Sequence, residues 1–154
     1  MTTVLQQTGD DGEELVRKFC NCPRCNHKGT FRKLTSGFKS VDLICEFCGF
    51  VAQVKTKTVR NIDKVPSTIL AGAWSVQKER VDAGIVNPLF IVLRNEKDKS
   101  KFAIYYLASE YQKVEMFIPR NPLSEKARRA GWQGFYYKFS EEDKMFIKRL
   151  YPLV

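Results

Sequence analysis

The chain has 154 residues, 44% of them apolar and 12% aromatic, enough for a packed core and too few for two full domains. Apolar runs such as Pro88–Leu93 are far too short to span a bilayer, and the polar, acidic Met1–Gly12 is no export signal, so a reducing cytoplasm is the expected setting. Twenty-six basic against seventeen acidic residues give a net charge of +9, which points to a polyanionic partner, nucleic acid first.

In chain order, Asp10-Asp11-Gly12-Glu13-Glu14 reads as a helix start ahead of Leu15, Val16 and Phe19 on one face. A cysteine-rich turn, Cys20–Lys28, follows it. Thr30–Thr35 and Lys39–Cys45 read as strands joined through Ser36-Gly37, and Phe50–Lys57 as a third. In that third strand Val51, Gln53, Lys55 and Lys57 share one face, and Phe50, Ala52 and Val54 share the other. Pro66-Ser67-Thr68 is expected to open a helix running to Gly84, because Ile69, Ala73 and Val76 recur at helical spacing. Pro88–Arg94 and Phe102–Leu107 read as strands around the charged turn Asn95–Lys101. In the tail, Val114–Ile118 and Phe135–Phe139 suit short strands and Glu141–Leu150 a short helix. This order makes an α/β domain with a mixed sheet.

Two Cys-x-x-Cys pairs carry the most specific signal, Cys22-Pro23-Arg24-Cys25 and Cys45-Glu46-Phe47-Cys48. A two-residue gap turns both sulfurs of a pair toward one point, and four thiolates satisfy a tetrahedral zinc ion. Gly49 gives the second turn its backbone freedom. Cys20 would leave a longer gap to Cys25, so Cys22 is the better ligand and Cys20 a free thiol. His27, the only histidine, reads as a polar residue of the turn. Four thiolates leave no open position, which makes the expected zinc structural.

Asp42 and the triplet Gln53-Val54-Lys55 flank the second pair on strands expected to be neighbours. Phosphodiester cleavage requires an activated water and a cation to stabilise charge on the phosphate. Asp42 supplies a carboxylate for Mg²⁺, Gln53 an amide oxygen and Val54 a backbone carbonyl. Lys55 would orient or deprotonate the water. The plainer reading is an edge acid and a solvated Gln-x-Lys-x-Lys strand face. A single histidine excludes histidine-metal nucleases, and zinc deaminases need an open zinc site.

Taken together, the cysteine pairs, Asp42 and Gln53-Val54-Lys55 resemble the catalytic domain of DpnI-type (Dam-replacing) restriction endonucleases, a branch of the PD-(D/E)XK nuclease superfamily. Ser67-Thr68-Ile69 with Gly72-Ala73, and Ala127-Arg128-Arg129-Ala130-Gly131-Trp132-x-Gly134, extend the likeness from about residue 12 to about residue 139. The resemblance implies one nuclease-like domain over 1–154, its knuckle built from 20–27 and 45–49. It also implies an Mg²⁺-dependent endonuclease acting on double-stranded DNA, with a leaning toward adenine-methylated sites. Gln53 stands where DpnI-type enzymes carry glutamate, and their following winged-helix domain is expected to be absent. A homodimer or a specificity partner would then complete recognition. Arg128, Arg129 and Trp132 are expected DNA contacts, with Lys57, Lys33, Lys39, Arg60 and Lys64 on phosphates. The alternative from the neutral Gln53 is a non-catalytic module on a decayed nuclease fold, binding DNA or recruiting a partner.

Overall fold

The computed structural model describes residues 4–35, 38 and 40–153, with side chains from residue 11 onward. Helix α1 (Val4–Phe19) leads into β1 (Phe31–Lys33), β2 (Leu43–Cys45) and the long β3 (Val51–Val59). Next come β4 (Thr68–Ala73), α2 (Trp74–Asp82), β5 (Leu89–Asn95) and β6 (Phe102–Leu107). The chain closes with β7 (Phe117–Pro119), β8 (Gly134–Lys138), the single turn α3 (Glu141–Lys144) and β9 (Lys148–Tyr151).

Six strands form one sheet in the order β1-β2-β3-β5-β6-β9, and three form a second in the order β4-β8-β7. In the large sheet β3 and β5 pair in parallel, while its other neighbours are antiparallel. A parallel pair needs a crossover, and β4 with α2 fills it. The sheet has a core on each side. Val16 of α1 packs with Phe31, Leu43, Ala52, Val54, Phe90, Val92 and Ile104 on one face. Ile69, Phe117, Phe135, Tyr137 and Phe139 of the second layer cover Leu89, Ile91 and Leu93 on the other. Strand β5 is therefore buried on both faces, which its unbroken apolar run requires.

Helix α1 begins before the expected Asp10, and Gly12 lies inside it. That glycine permits close packing, because a Cβ there would run into Thr56 Oγ1 of β3. The strands around the knuckle are shorter than expected, with β2 starting only at Leu43. The Ser36-Gly37 turn and Lys39 lie outside the described residues.

Three expectations are corrected. Thr68–Ala73 is a strand rather than the first turns of a helix, and the helix begins at Trp74. Ile69 is 1% exposed while Leu70 is 64% exposed, an alternation that suits a strand with one face on the core. Pairing with β8, Ile69 opposite Tyr137, decides the matter. Of the expected helix Glu141–Leu150 only Glu141–Lys144 is helical, fixed by a Ser140–Asp143 capping box. Lys148–Tyr151 instead adds β9 to the free edge of β6. Val114–Met116 is a 3₁₀ turn preceding β7. No described helix is long and apolar enough to cross a membrane.

Candidate active site and metal centre

The Sγ atoms of Cys22, Cys25, Cys45 and Cys48 all lie within 4.8 Å of one another. Cys22–Cys48 and Cys25–Cys45 are separated by 3.6 and 3.7 Å. A tetrahedron of sulfurs at zinc–thiolate bond length has edges of about 3.8 Å, so the cluster fits that ion. The two arms are built alike. Asn26 N–H donates to Cys22 C=O and Gly49 N–H to Cys45 C=O, both at 2.8 Å. Each arm is closed by its first cysteine, Cys22 N–H to His27 C=O and Cys45 N–H to Phe50 C=O. Both turns need a left-handed residue after the second cysteine, Gly49 at φ +79° and Asn26 at φ +62°.

Burial opposes ionisation of Cys45, but the Thr30 hydroxyl and the N–H groups of Cys48 and Phe47 outweigh it and hold the thiol down to about 6. Burial pushes Cys22 up to about 12. Cys20 is buried outside the cluster, its thiol also pushed up to about 12 by burial. His27 stacks on Phe47 across the two arms, ring centroids 3.7 Å apart.

The hairpin that carries Cys45 and Cys48 also brings Asp42 against β3. Asp42 Oδ2 accepts from Val54 N–H at 2.7 Å, and Asp42 N–H donates to Ala52 C=O at 3.0 Å. Gln53 N–H points the other way, to Pro88 C=O beside β5. A residue's N–H and C=O leave a strand on the same edge, so the Val54 carbonyl also faces the Asp42 side. Gln53 and Lys55 project from β3 toward the second sheet. There Gln53 Oε1 accepts from Tyr137 Oη at 2.8 Å. Burial lowers the Lys55 pKa below the usual ammonium range, while Asp42 and Glu13 pull it back up.

Asp42, Gln53 and Val54 each offer a hard oxygen donor. Asp42 Oδ1 has no hydrogen-bond partner among the described residues, and a carbonyl oxygen bonded once, as Gln53 Oε1 is, keeps a second lone pair. One carboxylate, one amide oxygen and one backbone carbonyl suit Mg²⁺, which keeps several waters and takes few protein ligands.

The remaining sequence-expected residues lie apart from this cluster or hold other partners. Lys57 Nζ donates to Thr68 C=O at 2.7 Å, tying β3 to β4. Lys33 pairs with Glu13 at 3.7 Å and Arg60 with Glu96 at 3.4 Å. Arg128 and Arg129 are exposed on the loop between β7 and β8. That loop is pinned by Leu123 N–H to Trp132 C=O and Gly131 N–H to Leu123 C=O. The Arg129 guanidinium lies 4.7 Å over the Trp132 ring. A Cβ on Gly134 would meet that ring at 2.9 Å, so the glycine lets the indole lie against β8.

Sequence reasoning missed three residues. Asn26 is the first arm's counterpart of Gly49, and its position one past Cys25 was the available signal. Glu13 reads from the sequence only as a helix-start acid, yet it is mostly buried and acts on Lys55. Tyr137 reads as one residue of the strand Phe135–Phe139, and a tyrosine in that apolar row is the hint that a buried hydroxyl needs a partner.

The family model described as DpnI: Dam-replacing family matches residues 8–147, a span that contains the four cysteines, Asp42, the 53–55 triplet and the Arg128–Trp132 loop.

Proposed function

The chain belongs to the DpnI (Dam-replacing) family, a family of restriction-type nucleases, and we propose that it is an Mg²⁺-dependent endonuclease working from Asp42, Gln53, Val54 and Lys55. The observation that carries this reading is the bond from Val54 N–H to Asp42 Oδ2. It holds the carboxylate against the triplet, as a PD-(D/E)XK site requires. Asp42 Oδ1, Gln53 Oε1 and the Val54 carbonyl would hold the ion. When bound, Mg²⁺ supplies charge neutralisation at the phosphate and a more acidic water. Lys55, which burial shifts toward the neutral amine, would orient the attacking water and accept its proton as the water oxygen bonds to phosphorus and the bridging ester oxygen departs. Arg128, Arg129, Trp132 and Lys57 supply DNA contacts, with adenine-methylated duplex the favoured substrate. The zinc centre is structural, and it fixes the hairpin on which Asp42 and the triplet sit.

Gln53 favours a second reading. It is neutral, and Tyr137 already occupies one of its lone pairs, which suits a binding module on the same fold. The test uses methylated and unmethylated plasmid with Mg²⁺ or Mn²⁺, wild-type protein beside Lys55→Ala. Metal-dependent cutting that falls by about 10²-fold or more in Lys55→Ala supports the nuclease. Salt-sensitive binding without cutting supports the module, and cutting unaffected by Lys55→Ala removes the proposed site.

A further inference from the structure

We infer that Tyr137 is a positioning residue for Gln53, clamping its amide so that a carbonyl lone pair is presented beside Asp42. The inference rests on the reading of Gln53 as a cation ligand.

Tyr137 sits in the middle strand of the small sheet, in register with Ile69 of β4 on one side and Phe117 of β7 on the other. It is 1% exposed, and its ring packs on Phe117, Phe135 and Phe139 at centroid distances of 5.4, 5.4 and 6.0 Å. Each of those neighbours is a phenylalanine, so a phenylalanine at 137 would meet the packing need. The hydroxyl therefore needs another explanation. A buried hydroxyl left unbonded is costly, and this one reaches a single described partner, Gln53 Oε1 at 2.8 Å, across 84 residues of sequence.

A free glutamine carries three rotatable side-chain torsions and an amide that flips between oxygen and nitrogen. Only its oxygen can bind a cation. Accepting from the amide nitrogen would leave the buried phenol proton unbonded, so donation to Oε1 is the favoured arrangement, and it leaves that oxygen's second lone pair free. Asp42 is tied to the residue after Gln53 on the same strand, its Oδ2 accepting from Val54 N–H at 2.7 Å. Asp42, Gln53 and Tyr137 are one cluster. A donor at this place serves a carboxylate equally well, so the scaffold accepts Gln53→Glu without rebuilding.

The test measures Mn²⁺ binding to the zinc-loaded full chain by the electron-paramagnetic signal of free Mn²⁺, a hard ion that does not displace zinc from thiolates. Tyr137→Phe is expected to weaken binding about threefold to tenfold, the range of one hydrogen bond. It should have no further effect in Gln53→Ala, and Gln53→Glu should bind more tightly while Tyr137 is present. Equal weakening in both backgrounds would show a merely structural role and overturn the inference. So would an unchanged affinity in Tyr137→Phe when Gln53→Ala does weaken binding. If Gln53→Ala alone changes nothing, the ligand reading of Gln53 fails, and the clamp falls with it.

Discussion

The four-cysteine cluster and the Asp42 cluster share the β2–β3 hairpin, which carries Cys45 and Cys48 as well as Asp42, yet they are assembled by different means. In the knuckle each pair of sulfurs comes from one tight turn, and the two turns repeat the same backbone bonds with a left-handed residue at the same position, Asn26 in one and Gly49 in the other. The Asp42 cluster has no such local unit. It takes a carboxylate from the lead-in to β2, a triplet from β3, Glu13 from α1 and Tyr137 from a different sheet. A four-cysteine cluster built from short turns needs little of the fold, whereas the site proposed for phosphodiester chemistry draws on nearly all of it. On the proposed reading the dependence also runs one way: a zinc-filled knuckle would hold the hairpin, and the hairpin holds Asp42 against β3.

The strongest way to break this comparison is to remove the zinc. Structural zinc contributes about 10–16 kcal/mol of apparent binding free energy in small zinc folds, comparable to the whole stability of a typical domain. Cys45→Ser, or chelation, should therefore release about one metal ion per chain and unfold the β1–β2 region, with loss of cleavage as a consequence. Elemental analysis with circular dichroism checks it. A fully folded, active, zinc-free chain would show that the hairpin does not depend on the knuckle.

A smaller effect sharpens the likeness of the two arms. Gly49→Ala forces a side chain into φ +79°, at a cost of about 1–2 kcal/mol. Asn26→Gly relaxes φ +62° and should change stability by less than about 1 kcal/mol. Thermal melts of the zinc-loaded variants read both. If Gly49→Ala proves harmless, the left-handed turns are not what closes the arms.

What was legible in the sequence follows the same division. The cysteine pairs were plain because their chemistry is set by spacing of two residues. β5 and β6 were plain because unbroken apolar runs of that length fit buried strands. Thr68–Ala73 misled because Ile69, Ala73 and Val76 fall at helical spacing, and the segment changes from strand to helix at Trp74, between them. What made it a strand was an empty place beside β8, a tertiary fact. β9 was hidden for the same reason, since the edge of β6 recruits it. Asp42 and Gln53-Val54-Lys55 stood out as residue types on neighbouring strands. Glu13 and Tyr137 did not, because only the folded chain brings α1 and β8 to β3.

The most direct test of the account is Mn²⁺ binding by zinc-loaded Asp42→Asn, a change that keeps the shape and an oxygen for Val54 N–H while removing the charge. The account predicts affinity weakened about tenfold or more, with zinc content and melting temperature unchanged. Mn²⁺ binding identical to that of the wild-type chain would contradict it.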